Sequence, residues 1–314
     1  MKISVVGAGN VGASTCYLMI AKEICSQLVL LDINRSIAKG KAIDMMQASI
    51  ALISKTKIKT TNDYSDIVNS DIVIITAGLP RKDGMSREDL LNVNIKIMED
   101  VILNVKKFAP NSIVIVVSNP LDAMNYAALR LSGFDKRKVI GMGGILDSAR
   151  MAHTIVKKLD EKQDIVRAMV IGSHSEHMVP LFSQSFVGKR TIKDIFDEQE
   201  REDIIEKTKN GGAHIVKFLQ TSAYYAPAAS ICILVEAISK NQKSTLPCST
   251  LLEGEYGESG VSIGVPVVIG KNGIEKIVEL PLDKEEMQKF KESVAHLRES
   301  LVVVDKYLKN NKNS

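Results

Sequence analysis

One glycine-rich turn, set directly after a β-branched run, constrains the fold of this chain more than any other feature. Residues 3–6, Ile-Ser-Val-Val, lead without a break into Gly7-Ala8-Gly9-Asn10-Val11-Gly12. This spacing has meaning in that context, because the glycines let a strand turn tightly into a helix and let the backbone approach a ligand. A second strand-like run at 28–31 ends in Asp32, twenty residues after Gly12. A carboxylate there accepts hydrogen bonds from a ribose and repels a 2′-phosphate, which points to NAD in preference to NADP. The pyrophosphate would meet the helix N-terminus. The plainer alternative is a merely tight turn with Asp32 as a solvated strand end.

The turn belongs to a longer pattern. Short β-branched runs at 3–6, 28–31, 72–76 and 113–117 alternate with amphipathic stretches, as buried parallel strands joined by helices do. Ser86 and Asp89 form an S-x-x-D cap, followed by Leu91, Ile95, Met98, Ile102 and Val105 on one helical face. The alternation predicts an α/β fold, a Rossmann-type doubly wound parallel sheet. Near Gly141-Met142-Gly143-Gly144 a helix-like stretch at 145–159 begins and the strict alternation ends. The division expected is an NAD-binding Rossmann domain at 1–143 and an α+β substrate-binding, catalytic domain at 144–314. Within the second, 165–171 reads as a strand, and 265–269 and 274–280 flank Asn272-Gly273 as a hairpin. A last helix, entered through Asp283, carries Met287, Phe290, Val294, Leu297 and Leu301 on one face and closes in a Lys/Asn-rich tail expected to fray.

Composition narrows the function. The 314 residues, 45% hydrophobic, suffice for two domains sharing an interface. A net charge of +4, aromatics at 4% and no tryptophan argue against nucleic-acid binding and suit small anionic substrates. The four cysteines form no C-x-x-C pair, so neither a zinc ribbon nor a disulfide framework is indicated, and reduced core or surface thiols are expected. No apolar run reaches membrane-spanning length, and strand-like sequence begins at once after Met1. A soluble cytoplasmic protein is the expectation.

Two features point to the ligand. Arg81 and Arg87 bracket Gly84 in the segment that follows the run at 72–76, where open α/β sheets place ligands. Two guanidinium forks suit a molecule with two anionic or oxygen-rich ends, although solvated loop cations are the common alternative. Asp147 and Arg150 stand three apart in the helix-like stretch, so they share one face. On spacing alone, a surface ion pair is the commoner explanation.

Taken together, the residues resemble the lactate/malate dehydrogenase family over nearly the whole chain. The resemblance rests on the glycine turn, Thr76-Ala77-Gly78-Leu79-Pro80-Arg81-Lys82, Gly84-Met85-Ser86-Arg87, Val117-Ser118-Asn119-Pro120, Leu146-Asp147-Ser148-Ala149-Arg150, His174 with Val179-Pro180, and Tyr225-Ala226-Pro227. It is closest to the malate dehydrogenases that share the lactate dehydrogenase fold, since lactate enzymes usually carry glutamine in place of Arg81. The resemblance implies NAD-dependent hydride transfer between (S)-malate and oxaloacetate. Such chemistry needs a base titrating near neutrality, and histidine is the natural choice. Of five histidines, the resemblance selects His174 as general acid/base, with Asp147 behind its imidazole. By the same resemblance Arg150 pins the substrate carboxylate, Arg87 polarises the reacting oxygen, Arg81 meets the distal carboxylate and Asn119 hydrogen-bonds substrate near the nicotinamide. Gly7, Ala8, Gly9, Asn10, Val11, Gly12 and Asp32, with Asn94, Val117, Ser118 and Asn119, would form the cofactor site. A homotetramer or homodimer is implied, with no nucleic-acid or membrane partner.

The chain also departs from the family pattern. Gly172-Ser173-His174-Ser175-Glu176 stands where the family usually shows Gly-Gly-His-Gly-Asp, placing side chains where the backbone could need glycine. The segment at 219–223 reads one residue short before Tyr224-Tyr225-Ala226-Pro227. His174 and His177 do not make H-E-x-x-H and lack further ligands, so no metal is expected. The alternatives are a lactate or other 2-hydroxy-acid dehydrogenase in which Arg81 points elsewhere, and a noncatalytic NAD-binding module.

Overall fold

Strands covered on both faces need apolar residues on both, and the first half supplies them. In the computed structural model, which describes residues 1–80, 85–160, 162 and 165–312 (main chain only for Arg87, Asn311 and Lys312), this half alternates regularly. β1 (Lys2–Val6), α1 (Asn10–Ala21), β2 (Gln27–Leu31), α2 (Arg35–Ala51), β3 (Lys57–Thr61) and β4 (Ile72–Ile75) come first. α3 (Arg87–Phe108), β5 (Ile113–Val116), α4 (Leu121–Ser132) and β6 (Val139–Gly141) follow. All six strands are parallel, in the order β3-β2-β1-β4-β5-β6. The order reverses between β1 and β4, and such a switch point leaves a crevice at the strands' carboxyl ends.

The four predicted strands appear within a residue of their expected bounds. Two others escaped the sequence reading for physical reasons. β3, Lys57-Ile58-Lys59-Thr60-Thr61, is an edge strand whose exposed lysines break the apolar run. β6 has only three residues. Ser86 and Asp89 make the predicted reciprocal cap on α3.

The second half contains α5 (Gly143–Leu159), β7 (Val166–Arg167), β8 (Val170–Ile171), β9 (Val179–Pro180), β10 (Phe186–Val187), β11 (Arg190–Thr191), α6 (Ile192–Ile195), α7 (Glu198–Leu219) and α8 (Tyr225–Ser239). It continues with β12 (Ser244–Glu253), β13 (Ser259–Gly270), β14 (Gly273–Ile277) and α9 (Lys284–Lys312). The strand expected at 165–171 is two short strands, because β7 pairs with β10 while β8 pairs with β9. The hairpin around Asn272-Gly273 forms as β13 and β14. β12 pairs antiparallel with β6 at Ser249 and Gly141, so a nine-stranded sheet continues across residue 143.

Packing follows from these faces. Phe290, Val294, Leu297 and Leu301 of α9 are buried in an apolar core that also contains Ile3, Ile75 and Ile115. The Lys/Asn-rich end, expected to fray, is helical to Lys312. A smaller cluster of Met151, Ile155, Val170, Phe182 and Ile204 lies beneath α5 and α7. Cys16, Cys25, Cys232 and Cys248 are free thiols in the core, none at the surface. Burial pushes Cys25 up to about 11 and Cys232 up to about 12. No helix among the described residues is long and apolar enough to cross a membrane.

Candidate active site

The glycine turn is shaped by close approach. Gly7 has φ +110°, and a Cβ on Gly12 would lie 1.9 Å from the Gly7 carbonyl oxygen, so neither position admits a side chain. Gly9 is the opposite case, since a Cβ there would meet no atom of the described residues within 4 Å. Gly9 caps α1 without a side-chain hydrogen bond, and no acidic residue occupies the first turn. The helix therefore presents N–H groups and positive dipole to the open side of the turn. Asp32 Oδ2 accepts the Ala8 N–H at 2.5 Å, Oδ1 accepts the Asn34 N–H at 2.7 Å, and Lys41 Nζ donates to the Ala8 carbonyl at 2.7 Å. Asp32 thus also braces the turn, an engagement the sequence did not reveal. Open space over Gly9, an uncapped helix end and a carboxylate at the β2 terminus fit a dinucleotide such as NAD.

Across the switch point the structure brings together the loops after β4 and β5. Ser118 Oγ donates to the Ala77 carbonyl at 2.5 Å. Asn94, buried on α3, accepts the Leu79 N–H at 2.8 Å and donates through Nδ2 to the Leu79 and Asn119 carbonyls at 3.1 and 2.8 Å. Its side chain latches the two loops together, a use that its expected place in the cofactor site did not suggest. Val117 is half-buried and Asn119 exposed beside it.

His174 lies in the loop after β8, with Nδ1 2.7 Å from Asp147 Oδ2. Asp147 is 2% exposed, and its other oxygen accepts Arg150 Nη1 at 3.1 Å. The i,i+3 ion pair and the contact to His174 therefore coexist on one carboxylate. Burial works to lower the His174 pKa, but Asp147, and behind it Asp122, outweigh burial and the opposing Arg150, so the net shift is upward. Gly143 makes room for the ring, because a Cβ there would sit 2.8 Å from the His174 Cβ. Arg150 lies against Gly211 and Gly212 of α7, and its buried Nε has no hydrogen-bond partner among the described residues.

The serine departures are accommodated. Gly172 has φ +83°, whereas Ser173 and Ser175 are absent from the positive-φ residues, so the neighbours of His174 do not need glycine. Their hydroxyls meet at 2.7 Å, and Ser293 of α9 accepts the Ser173 N–H at 2.9 Å. His177 stacks on His296 of α9 with ring centroids 3.8 Å apart. The short segment at 219–223 follows α7, whose end is closed by Gln220 in a left-handed conformation. Tyr225 then opens α8.

A cleft of about 700 Å³ lies between the His174 loop, the start of α4 and α9, lined among others by Glu88, Asn119, Asp122, His174, Glu176 and His296. Arg87 begins α3, while Arg81 lies outside the described residues. Asp122 was missed by sequence reasoning. It lies in the first turn of α4, and burial pushes its carboxyl up to about 6 despite the Ser249 side chain and the His174 N–H. An acid three residues after Asn119, within an otherwise apolar run, was the available signal.

Both halves of the chain are similar to known proteins. Residues 1–141 match the lactate/malate dehydrogenase NAD binding domain, and residues 145–306 the lactate/malate dehydrogenase α/β C-terminal domain. A malate dehydrogenase of Nitratiruptor sp. is 49% identical over 97% of this chain and 96% of its own length. The malate dehydrogenase of Picrophilus torridus superposes with a TM-score of 0.95 at 37% identity, covering 99% of both chains. The lactate dehydrogenase of Cryptosporidium parvum, complexed with lactic acid and nicotinamide adenine dinucleotide, superposes at 0.93 with 36% identity over 97% of this chain and 98% of its own.

Proposed function

Because this chain belongs to the lactate/malate dehydrogenase family, we propose that it is an NAD-dependent malate dehydrogenase interconverting (S)-malate and oxaloacetate. The observation that carries the reading is the His174–Asp147 pair, 2.7 Å apart at a cleft shared with Asn119. With Nδ1 engaged by Asp147, Nε2 is the nitrogen left to take the substrate hydroxyl proton, or to return it in the reverse direction. NAD, when bound, supplies the hydride acceptor. Arg150, whose Nε lacks a partner among the described residues, binds the carboxylate next to the reacting carbon. Arg87 polarises the reacting oxygen, and Arg81 reads the distal carboxylate.

Fold alone does not separate this activity from lactate oxidation, since dehydrogenases with both names superpose closely. Arg81 favours the dicarboxylate. The noncatalytic alternative loses its motive, because neither Ser173 nor Ser175 has a positive φ. We retain the division at 143/144, cytoplasmic residence and a homotetramer or homodimer as parts of the proposal. Exposed Ile37, Met46 and Ile50 on α2 support self-association. The purified protein is expected to consume NADH when given oxaloacetate, and His174→Asn to abolish that turnover while still binding NADH. Folded, NADH-binding wild-type protein without turnover would refute the reading.

A further inference from the structure

Asp122 is 4% exposed, yet nothing in the family-derived roles explains a carboxylate there. Its Oδ2 accepts the main-chain N–H of His174 at 2.7 Å, and the Ser249 side chain is its other polar neighbour. Burying such a group costs stability unless its contacts compensate. The bond joins two parts of the molecule, because α4 lies in the segment matching the NAD binding domain and His174 in the segment matching the C-terminal domain. Asp122 is also fixed relative to the cofactor side, since Asn94 holds the Asn119 carbonyl three residues earlier. On the other flank, Ser293 holds the Ser173 N–H. Asp147 meets the imidazole ring; Asp122 meets the main chain from which the ring hangs.

We propose that Asp122 is a positioning residue that registers His174 against the cofactor-binding half of the molecule by accepting its main-chain N–H. This rests on the reading of His174 as the acid/base. A lesser role for Asp122, favouring the N-terminus of α4 by its charge alone, would need no bond to His174.

Two substitutions in the full chain separate the cases. Asp122→Asn keeps an acceptor oxygen; Asp122→Ala removes it, with Asp122→Leu, close in shape, as a substitute should Ala not fold. Hydrogen exchange of the peptide spanning residues 173–177 is expected to be roughly tenfold faster or more in Ala and near wild type in Asn. With oxaloacetate, kcat is expected to fall on the order of a hundredfold in Ala, with little change in KM and a larger isotope effect from deuterated NADH. Asn should recover kcat to within about fivefold of wild type, a smaller loss than the misplacement of a reacting group brings. Unchanged exchange in Ala and Leu, or Asn as impaired as Ala, would overturn the proposal. Wild type without turnover would instead refute the reading of His174, and the exchange measurement would still decide the bond.

Discussion

Asp147 holds His174 and Arg150 at once, with Oδ2 2.7 Å from the His174 Nδ1 and Oδ1 3.1 Å from the Arg150 Nη1. One buried carboxylate thus sets both the tautomer of the proposed base and the direction of the proposed substrate anchor. Asp147→Asn keeps the shape but removes the charge that favours imidazolium. Its kcat is expected to drop by about 10³–10⁴, as for the analogous loss in catalytic triads. Fluorescence titration should show NADH affinity within about threefold of wild type, since Asp147 lies away from the glycine turn. A kcat within tenfold of wild type would remove Asp147 from the mechanism.

The raised His174 pKa gives the pH dependence a definite sign. Reduction of oxaloacetate needs imidazolium, so its kcat/KM should hold beyond the ordinary histidine value of about 6.5 and fall as pH rises through the raised value. Oxidation of malate needs neutral imidazole and should rise over the same window. The stability contributed by the pair is fully present below the unfolded value of about 6.5 and lost as pH rises through the folded one. Rate profiles in both directions, with thermal melts across the window, should shift together, and Asp147→Asn should move both downward in pH.

Arg150→Lys tests the guanidinium. A lysine keeps the charge but not the fork, so KM for oxaloacetate should rise at least about tenfold while NADH affinity is unchanged. Steady-state kinetics of Lys and Ala variants give the comparison, and a lysine variant equal to wild type would contradict the assignment.

The glycines of the turn should separate folding from binding. Gly12→Ala places a Cβ 1.9 Å from backbone, so it is expected to lower the melting temperature and to weaken NADH binding together. Gly9→Ala meets nothing among the described residues within 4 Å, and its melting temperature should stay within about 2 °C of wild type, as for a change of a few tenths of a kcal/mol. NADH affinity should nevertheless fall, because the added methyl occupies space the pyrophosphate needs. Intact binding in Gly9→Ala would place the cofactor elsewhere.

Much of this was legible in the sequence because it depends on local chemistry. The turn at Gly7–Gly12, the Ser86/Asp89 cap and the Asn272-Gly273 hairpin are written in neighbouring residues. So is the shared face of Asp147 and Arg150. What escaped depends on partners distant in the chain. The edge strand at Lys57–Thr61 exists because β2 pairs with it, and the split of 165–171 exists because two different strands claim its halves. Asp122 becomes meaningful only when the fold sets His174 against it. The serines beside His174 looked like a defect until neither proved to have a positive φ and Ser293 of α9 met Ser173.

Substrate choice is the most direct test. If the segment carrying Arg81 closes on substrate, pyruvate would leave its guanidinium buried without a partner, a penalty of about 3–5 kcal/mol. That is roughly a hundreds- to thousands-fold rate difference. The decisive measurement is the ratio of NADH oxidation rates with oxaloacetate and with pyruvate under identical conditions. An excess of at least about a hundredfold for oxaloacetate is expected on that penalty, and pyruvate turnover equal to or faster than oxaloacetate turnover would contradict the account.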